Sequence, residues 1–220
     1  SRGIINMSSR PRTSMSSPAL ARVVELVVHR GTQRVLDGVS ATLCQGEVVA
    51  IMGENGSGKT TLIEAFAGLI PLRSGDVIWA ENGNSIVVRD SQGRRNQPPS
   101  MGLTLQKGGV CGDETVMERI SVSLSVAGIE HSDDQIMELL SLWGLEHRAN
   151  DRLAHLSGGL SRRVAILGSL APAALSNSPL VVLLDEPSEG LDDSAKDILS
   201  SWIRSLSSRN HAILIATHDK

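Results

Sequence analysis

The stretch Gly53-Glu54-Asn55-Gly56-Ser57-Gly58-Lys59-Thr60 fits G-x-x-x-x-G-K-[ST], and its flanks constrain how the chain can fold. Before it, Val48–Met52 is an unbroken apolar run that reads as a buried strand. After it, residues 61–68, beginning at Thr61, read as a helix. A strand, a glycine-rich loop and a helix in that order place backbone N–H groups and the positive end of a helix dipole around one point. Glycines permit both close approach and positive φ. The ligand this suits is a chain of phosphates, with Lys59 on the β/γ groups and the Thr60 hydroxyl on Mg²⁺.

A second apolar run, residues 180–184, ends in Asp185-Glu186-Pro187. In an open α/β sheet ligands bind beyond the C-terminal ends of the strands, where these two carboxylates emerge. Asp185 would complete the Mg²⁺ site opened by Thr60, and Glu186 would polarise a water for in-line attack on the γ-phosphate. A third signal is Leu156-Ser157-Gly158-Gly159-Leu160, which opens a helical stretch with small residues that let an anion approach. One nucleotide needs only one phosphate loop. A second anion-binding helix terminus therefore points to use in trans, with nucleotide held between two copies of the chain.

The remaining pattern supports an α/β class. Short strands are expected at 23–28, 39–43, 76–79, 86–88, 102–105 and 212–216, with a polar, loop-dominated stretch over 81–100. From 113 to 156 the period turns helical. Ser132 and Gln135 form a capping-box pattern ahead of Ile136, Leu139, Leu140 and Trp143 on one face, and Gly144 closes that helix. Ala195, Ile198, Leu199, Trp202, Ile203 and Leu206 mark another amphipathic helix, placing both tryptophans in the core. Near-solid apolar strands alternating with helices argue a mostly parallel sheet covered on both faces.

At 220 residues, the chain can bury a full core. Its net charge of −3 gives no footprint for nucleic acid. No apolar stretch approaches the roughly 18 residues of a membrane span, so a membrane role needs a separate partner. Cys44 and Cys111 lie far apart without a metal-ligand pattern and read as thiols in a reducing cytosol. Arg2, Arg10, Arg12 and Arg22 with many serines and no acid before Glu25 have the composition of a transit peptide. The blander reading, a disordered leader over residues 1–21, is the one adopted.

Together these motifs resemble the nucleotide-binding domain of ATP-binding-cassette proteins, over almost the whole chain. The resemblance implies a P-loop NTPase core over 22–107 and 171–220, with an N-terminal antiparallel β subdomain and a helical insertion subdomain over 108–170. It further implies ATP and Mg²⁺ as ligands, a homodimer closed on nucleotide, and Gln106 as a contact to Mg²⁺ and the attacking water. Glu186 falls on the catalytic glutamate, residues 188–192 on the D-loop, and His218 on the switch histidine that meets the γ-phosphate. The expected role is ATP hydrolysis at the cytoplasmic face of a membrane, powering a separate transmembrane permease subunit, and exporter-type ATPases such as those of haem export are faintly similar. The alternatives are a non-transport cassette protein (an iron–sulfur assembly scaffold or a translation-associated factor) and a nucleotide-sensing regulator. Four departures stand out. Leu160 replaces the signature glutamine, and Glu189 stands where the D-loop often has serine. No aromatic lies near His29-Arg30 to stack on adenine, so a guanidinium or imidazole would have to serve. The chain stops two residues past His218, as a truncated C-terminus would.

Overall fold

The alternation of short apolar runs produces nine strands and five α-helices among the residues that the computed structural model describes, 6–9, 17–106 and 112–218. The N-terminal part contains β1 (Asn6–Ser9), β2 (Ala19–Arg30), β3 (Gln33–Cys44), β4 (Val48–Met52) and α1 (Lys59–Phe66). Next come β5 (Ser74–Glu81), β6 (Asn84–Asp90) and β7 (Met101–Thr104). Helices α2 (Val116–Val126), α3 (Asp133–Leu142) and α4 (Gly158–Leu175) follow, then β8 (Val181–Asp185), α5 (Asp193–Ser208) and β9 (Ala212–Thr217).

Two sheets form. One has the order β1-β4-β9-β8-β7, parallel from β4 to β7, and the other is the antiparallel sheet β3-β2-β5-β6. The strict alternation of side chains along a strand explains why β8 is apolar at four successive positions. Val181 and Leu183 enter a core shared with α1 and the antiparallel sheet, while Val182 and Leu184 enter a second core made by the helices. Full burial of each is worth about 1.5–3 kcal/mol. No polar residue fits there until the strand ends at Asp185.

The helical block is built on local signals. Thr115 and Glu118 make a reciprocal capping box at α2, as Ser132 and Gln135 do at α3. Trp143 is fully buried and meets Trp202 of α5 edge to face, with centroids 5.6 Å apart. Helix α4 lies against β7 so closely that a Cβ on Gly102 would stand 2.0 Å from the carbonyl oxygen of Ser169. Ser169 Oγ also bonds the Thr104 hydroxyl and donates to the carbonyl of Leu103 at 2.9 Å.

Two expectations need correction. The leader expected over 1–21 is interrupted by strand: Asn6–Ser9 pairs antiparallel with β4, and β2 begins at Ala19. Residues 1–5 and 10–16, with Met15, lie outside the described residues. The pairing satisfies N–H and C=O groups along the outer side of β4. Strands β2 and β3 also run twelve residues each, well past the apolar segments 23–28 and 39–43. Their polar ends are held by the backbone ladder between them rather than by burial. A register shift between Val23 and Leu26, with Glu25 at φ 47, hides the length of β2 from a period-two reading.

Candidate nucleotide site

The loop after β4 turns at Gly56 (φ 82) and Gly58 (φ 104) before α1 starts at Lys59. At Gly58 glycine is needed twice over, for the backbone angle and because a Cβ would lie 3.0 Å from Val35 Cγ1. No side chain caps α1, so its first-turn N–H groups face the loop's concavity. Lys59 is buried, and its Nζ donates to the carbonyls of Gly53 (2.7 Å) and Glu54 (3.2 Å). The Thr60 hydroxyl donates to Asp185 Oδ2 at 2.7 Å, joining the loop to the end of β8. A cavity of about 240 Å³ results, lined by Asn55, Gly56, Gly58, Lys59, Thr60 and Thr61, with Val35, Gln106, Asp185 and Glu186.

Asp185 is fully buried. Desolvation pushes its carboxyl above the usual carboxylate range, against the pull of the hydrogen bonds from Thr60 and the Gln106 backbone. Glu186 is buried too, in a left-handed conformation at φ 46 that costs a non-glycine residue about 1 kcal/mol or more. Its N–H donates to the carbonyl of Ala216 at 2.9 Å. Oε2 lies 2.8 Å from His218 Nδ1 and accepts from the His218 N–H at 3.3 Å, and Oε1 is 3.6 Å from Lys59 Nζ. β8 and β9 are parallel neighbours, which is why Glu186 and His218 meet although 32 residues apart.

Of the six buried side-chain polar atoms without a hydrogen-bond partner among the described residues, three lie in the phosphate loop and at the end of β8: Ser57 Oγ, Asp185 Oδ1 and Glu186 Oε1. Such atoms call for ligand or solvent. Among the described residues no cluster of three or more His, Cys, Asp or Glu side chains could hold a metal alone. One hydroxyl and one carboxylate, with phosphate oxygens and water, nevertheless suit Mg²⁺, which seldom takes an all-protein cage. Thr60 and Asp185 fit that ion. Gln106 reaches the same cavity, but its Nε2 donates to Glu189 Oε2 at 3.3 Å.

The structure does not bring Ser157, Gly158 and Gly159 into this cavity. They stand exposed at the start of α4, with Ser157 Oγ accepting from the Leu160 N–H at 3.4 Å. His29 and Arg30 do not line it either, and the Arg30 guanidinium is paired with Glu64 of α1. Sequence reasoning missed Val35, whose pattern marks only a β-strand residue. It also missed Arg162, buried beneath the carboxylates with its guanidinium bonded to four backbone carbonyls. Glu189 carried a signal as an acid in a loop of small residues, though not its contact with Gln106.

A glycine-rich loop between parallel strand and helix, its threonine bonded to a buried strand-end aspartate, defines a P-loop nucleoside triphosphatase. A family model described as ABC transporter matches residues 36–189, so the chain belongs to the ABC transporter family, as its ATP-binding ATPase domain. It is 33% identical over 192 residues to the macrolide export ATP-binding/permease protein MacB of Psychrobacter cryohalolentis, covering 86% of this chain and 28% of that protein. The Psychrobacter arcticus protein of the same name gives the same figures. The chain thus spans 28% of the length of these relatives. A solved ATP-binding subunit of an ABC transporter superposes with a TM-score of 0.76 at 27% identity, covering 90% of this chain and 79% of that one. For an ABC transporter ATP-binding protein from Pyrococcus furiosus the score is 0.70 at 22% identity, over 91% of this chain and 92% of that one, a likeness of fold.

Proposed function

We propose that two copies of this domain close on two molecules of ATP·Mg²⁺ and that hydrolysis drives a separate membrane-spanning partner from its cytoplasmic face. The observation that carries this reading is the separation of the two anion-facing helix ends. The N-terminus of α1 opens on the cavity with Lys59, Thr60, Asp185 and Glu186, whereas the Ser157, Gly158, Gly159 tip of α4 is exposed and outside it. A second copy can present that tip to the γ-phosphate, so the site is incomplete in one chain.

Catalysis is then positioning and charge neutralisation. Residues 53–61 wrap the phosphates. Lys59 exchanges the Gly53 and Glu54 carbonyls for β- and γ-oxygens, which frees it to stabilise charge on the leaving group. Thr60 and Asp185, with Gln106 beside them, would hold Mg²⁺, which supplies further charge neutralisation on the phosphates. Glu186 Oε1, without a hydrogen-bond donor, accepts from the attacking water, while His218 steadies Oε2. His218 and the partner copy's Ser157 complete the γ-phosphate contacts.

No helix among the described residues is long and apolar enough to cross a membrane. The proposed docking surface for the membrane partner is the groove between β7, α2 and α4, a cavity of about 390 Å³ bordered by Met101, Arg119, Val122, Val126 and Pro172. Val126 is 82% exposed there, and Val122 46%. Residues 107–111, with Cys111, lie outside the described residues. The likeness to ATP-binding/permease proteins supports transport over the non-transport readings. Replacing Ser157 by Phe tests the trans site: ATP binding to the monomer is retained and turnover is lost. Loss of binding to the monomer would place Ser157 in its own chain's site instead.

A further inference from the structure

Arg162 lies one turn into α4, directly behind the exposed Ser157, Gly158, Gly159 tip, and is 8% exposed. Its Nη2 donates to the carbonyls of Glu186 (2.8 Å) and Asp185 (3.3 Å), its Nε to that of Glu189 (3.2 Å), and its Nη1 to that of Leu105 (3.3 Å). One guanidinium therefore grips the end of β8, the loop carrying Glu189 and the strand end that leads to Gln106. The carbonyl of Glu186 receives the shortest of the four bonds, at the residue whose φ of 46 is unfavourable for a side-chain-bearing amino acid. Among the described residues no carboxylate comes within salt-bridge distance of the side chain, and burial lowers its affinity for a proton against the pull of the Glu189 and Asp185 charges. A buried cation spent wholly on carbonyls is an expensive arrangement if packing were its only purpose.

We propose that Arg162 is a positioning residue that ties the tip of α4 to the hydrolytic carboxylate of the same chain. Resting on the two-copy reading above, it follows that a partner's nucleotide docking on Ser157, Gly158 and Gly159 sets the backbone of Glu186 through Arg162. Each copy then reports the occupancy of one site to the carboxylate of the other. Lysine keeps the charge but lacks the planar fork that spans several carbonyls, so charge and geometry can be separated. The neighbouring Arg163 supplies a control, because it pairs with Asp192 and donates to the carbonyl of Trp143, away from the carboxylates.

The experiment compares Arg162→Lys, Arg162→Gln and Arg163→Gln with the unaltered chain. For Arg162→Lys, kcat is expected to fall about tenfold or more while KM for ATP and the Kd of the monomer for ATP stay within about threefold. Arg163→Gln should lower the melting temperature and leave kcat within about threefold. Hydrogen exchange without nucleotide gives a readout independent of turnover: Arg162→Lys should speed exchange at the Glu186 and Glu189 amides about tenfold and leave β5 unchanged. Unaltered kcat in Arg162→Lys, or unaltered exchange at those amides, overturns the proposal, as does an equal loss of kcat in Arg163→Gln. If the unaltered chain itself fails to hydrolyse ATP, the two-copy reading fails, and the exchange data still decide whether the tether exists.

Discussion

Glu186 combines features that rarely coincide by accident: burial, a left-handed backbone, a histidine on one oxygen and no donor on the other. Replacing it by Gln preserves the size and the contact with His218 but removes the carboxylate that the proposed reaction uses as its base. We expect ATP binding to persist, kcat to fall at least about a hundredfold, and an ATP-bound dimer to accumulate on gel filtration. Turnover at the unaltered rate would remove Glu186 from the role of base. Lys59→Ala should act at the earlier step, weakening nucleotide binding roughly a hundredfold by equilibrium titration, since a charge-assisted phosphate contact is lost and nothing nearby replaces it. Lys59, Thr60 and Asp185 were legible in the sequence because their spacing encodes contacts within one strand–loop–helix unit and one strand end. Arg162 and Val35 were not, because what matters in each is a tertiary contact: four carbonyls from three separate segments for one, the approach of a hairpin to Gly58 for the other.

The elements follow the same division between local and distant causes. The α3 cap at Ser132 was readable from four residues, whereas the equivalent box at Thr115 and Glu118 was hidden by weak apolar periodicity around it. The extent of β2 and β3 depends on pairing across the hairpin and on the bulge at Glu25, which no single-strand pattern shows. The seating of α4 on β7 is another distant cause. It turns on Gly102, whose missing Cβ leaves room for the Ser169 carbonyl. Gly102→Ala should force that helix outward and destabilise the fold by about 2–3 kcal/mol in urea denaturation. Because α4 also carries Ser157 and Arg162, turnover should fall even where the variant remains folded. A loss below about 0.5 kcal/mol would mean that α4 can slide without strain.

At the scale of the whole molecule, one parallel sheet serves both cores, so neither the antiparallel sheet with α1 nor the helical block can loosen without exposing β8 and β9. Anything that weakens β9 should therefore register as loss of the entire fold in a single transition. His211, one residue before β9, offers such a lever. It is 1% exposed, and its Nδ1 accepts from the Leu180 N–H at 3.0 Å, so the native state needs the neutral ring. Burial, with a smaller contribution from the Arg209 charge, pushes its pKa down from 6.5 to about 4. In the unfolded chain the ring takes a proton below about 6.5, and in the folded one only below about 4. Stability from this group is complete above pH 6.5, declines as the pH falls through that window, and levels off below about 4, with about 2 kcal/mol gone by pH 5. Asp185, raised by burial, acts in the opposite sense. Glu118 and Asp192, lowered by hydrogen bonds to the N–H groups at their helix starts, lose their contributions only below the ordinary carboxylate range. These carboxylates are common to the unaltered chain and to a His211 variant, so their effects cancel when the two are compared at pH 7.5 and pH 5. His211→Asn keeps an acceptor for the Leu180 N–H and cannot titrate. Urea midpoints at the two pH values should show the unaltered chain losing about 2 kcal/mol more than the variant. Equal losses in both would mean that His211 protonates as readily in the folded chain as in the unfolded one.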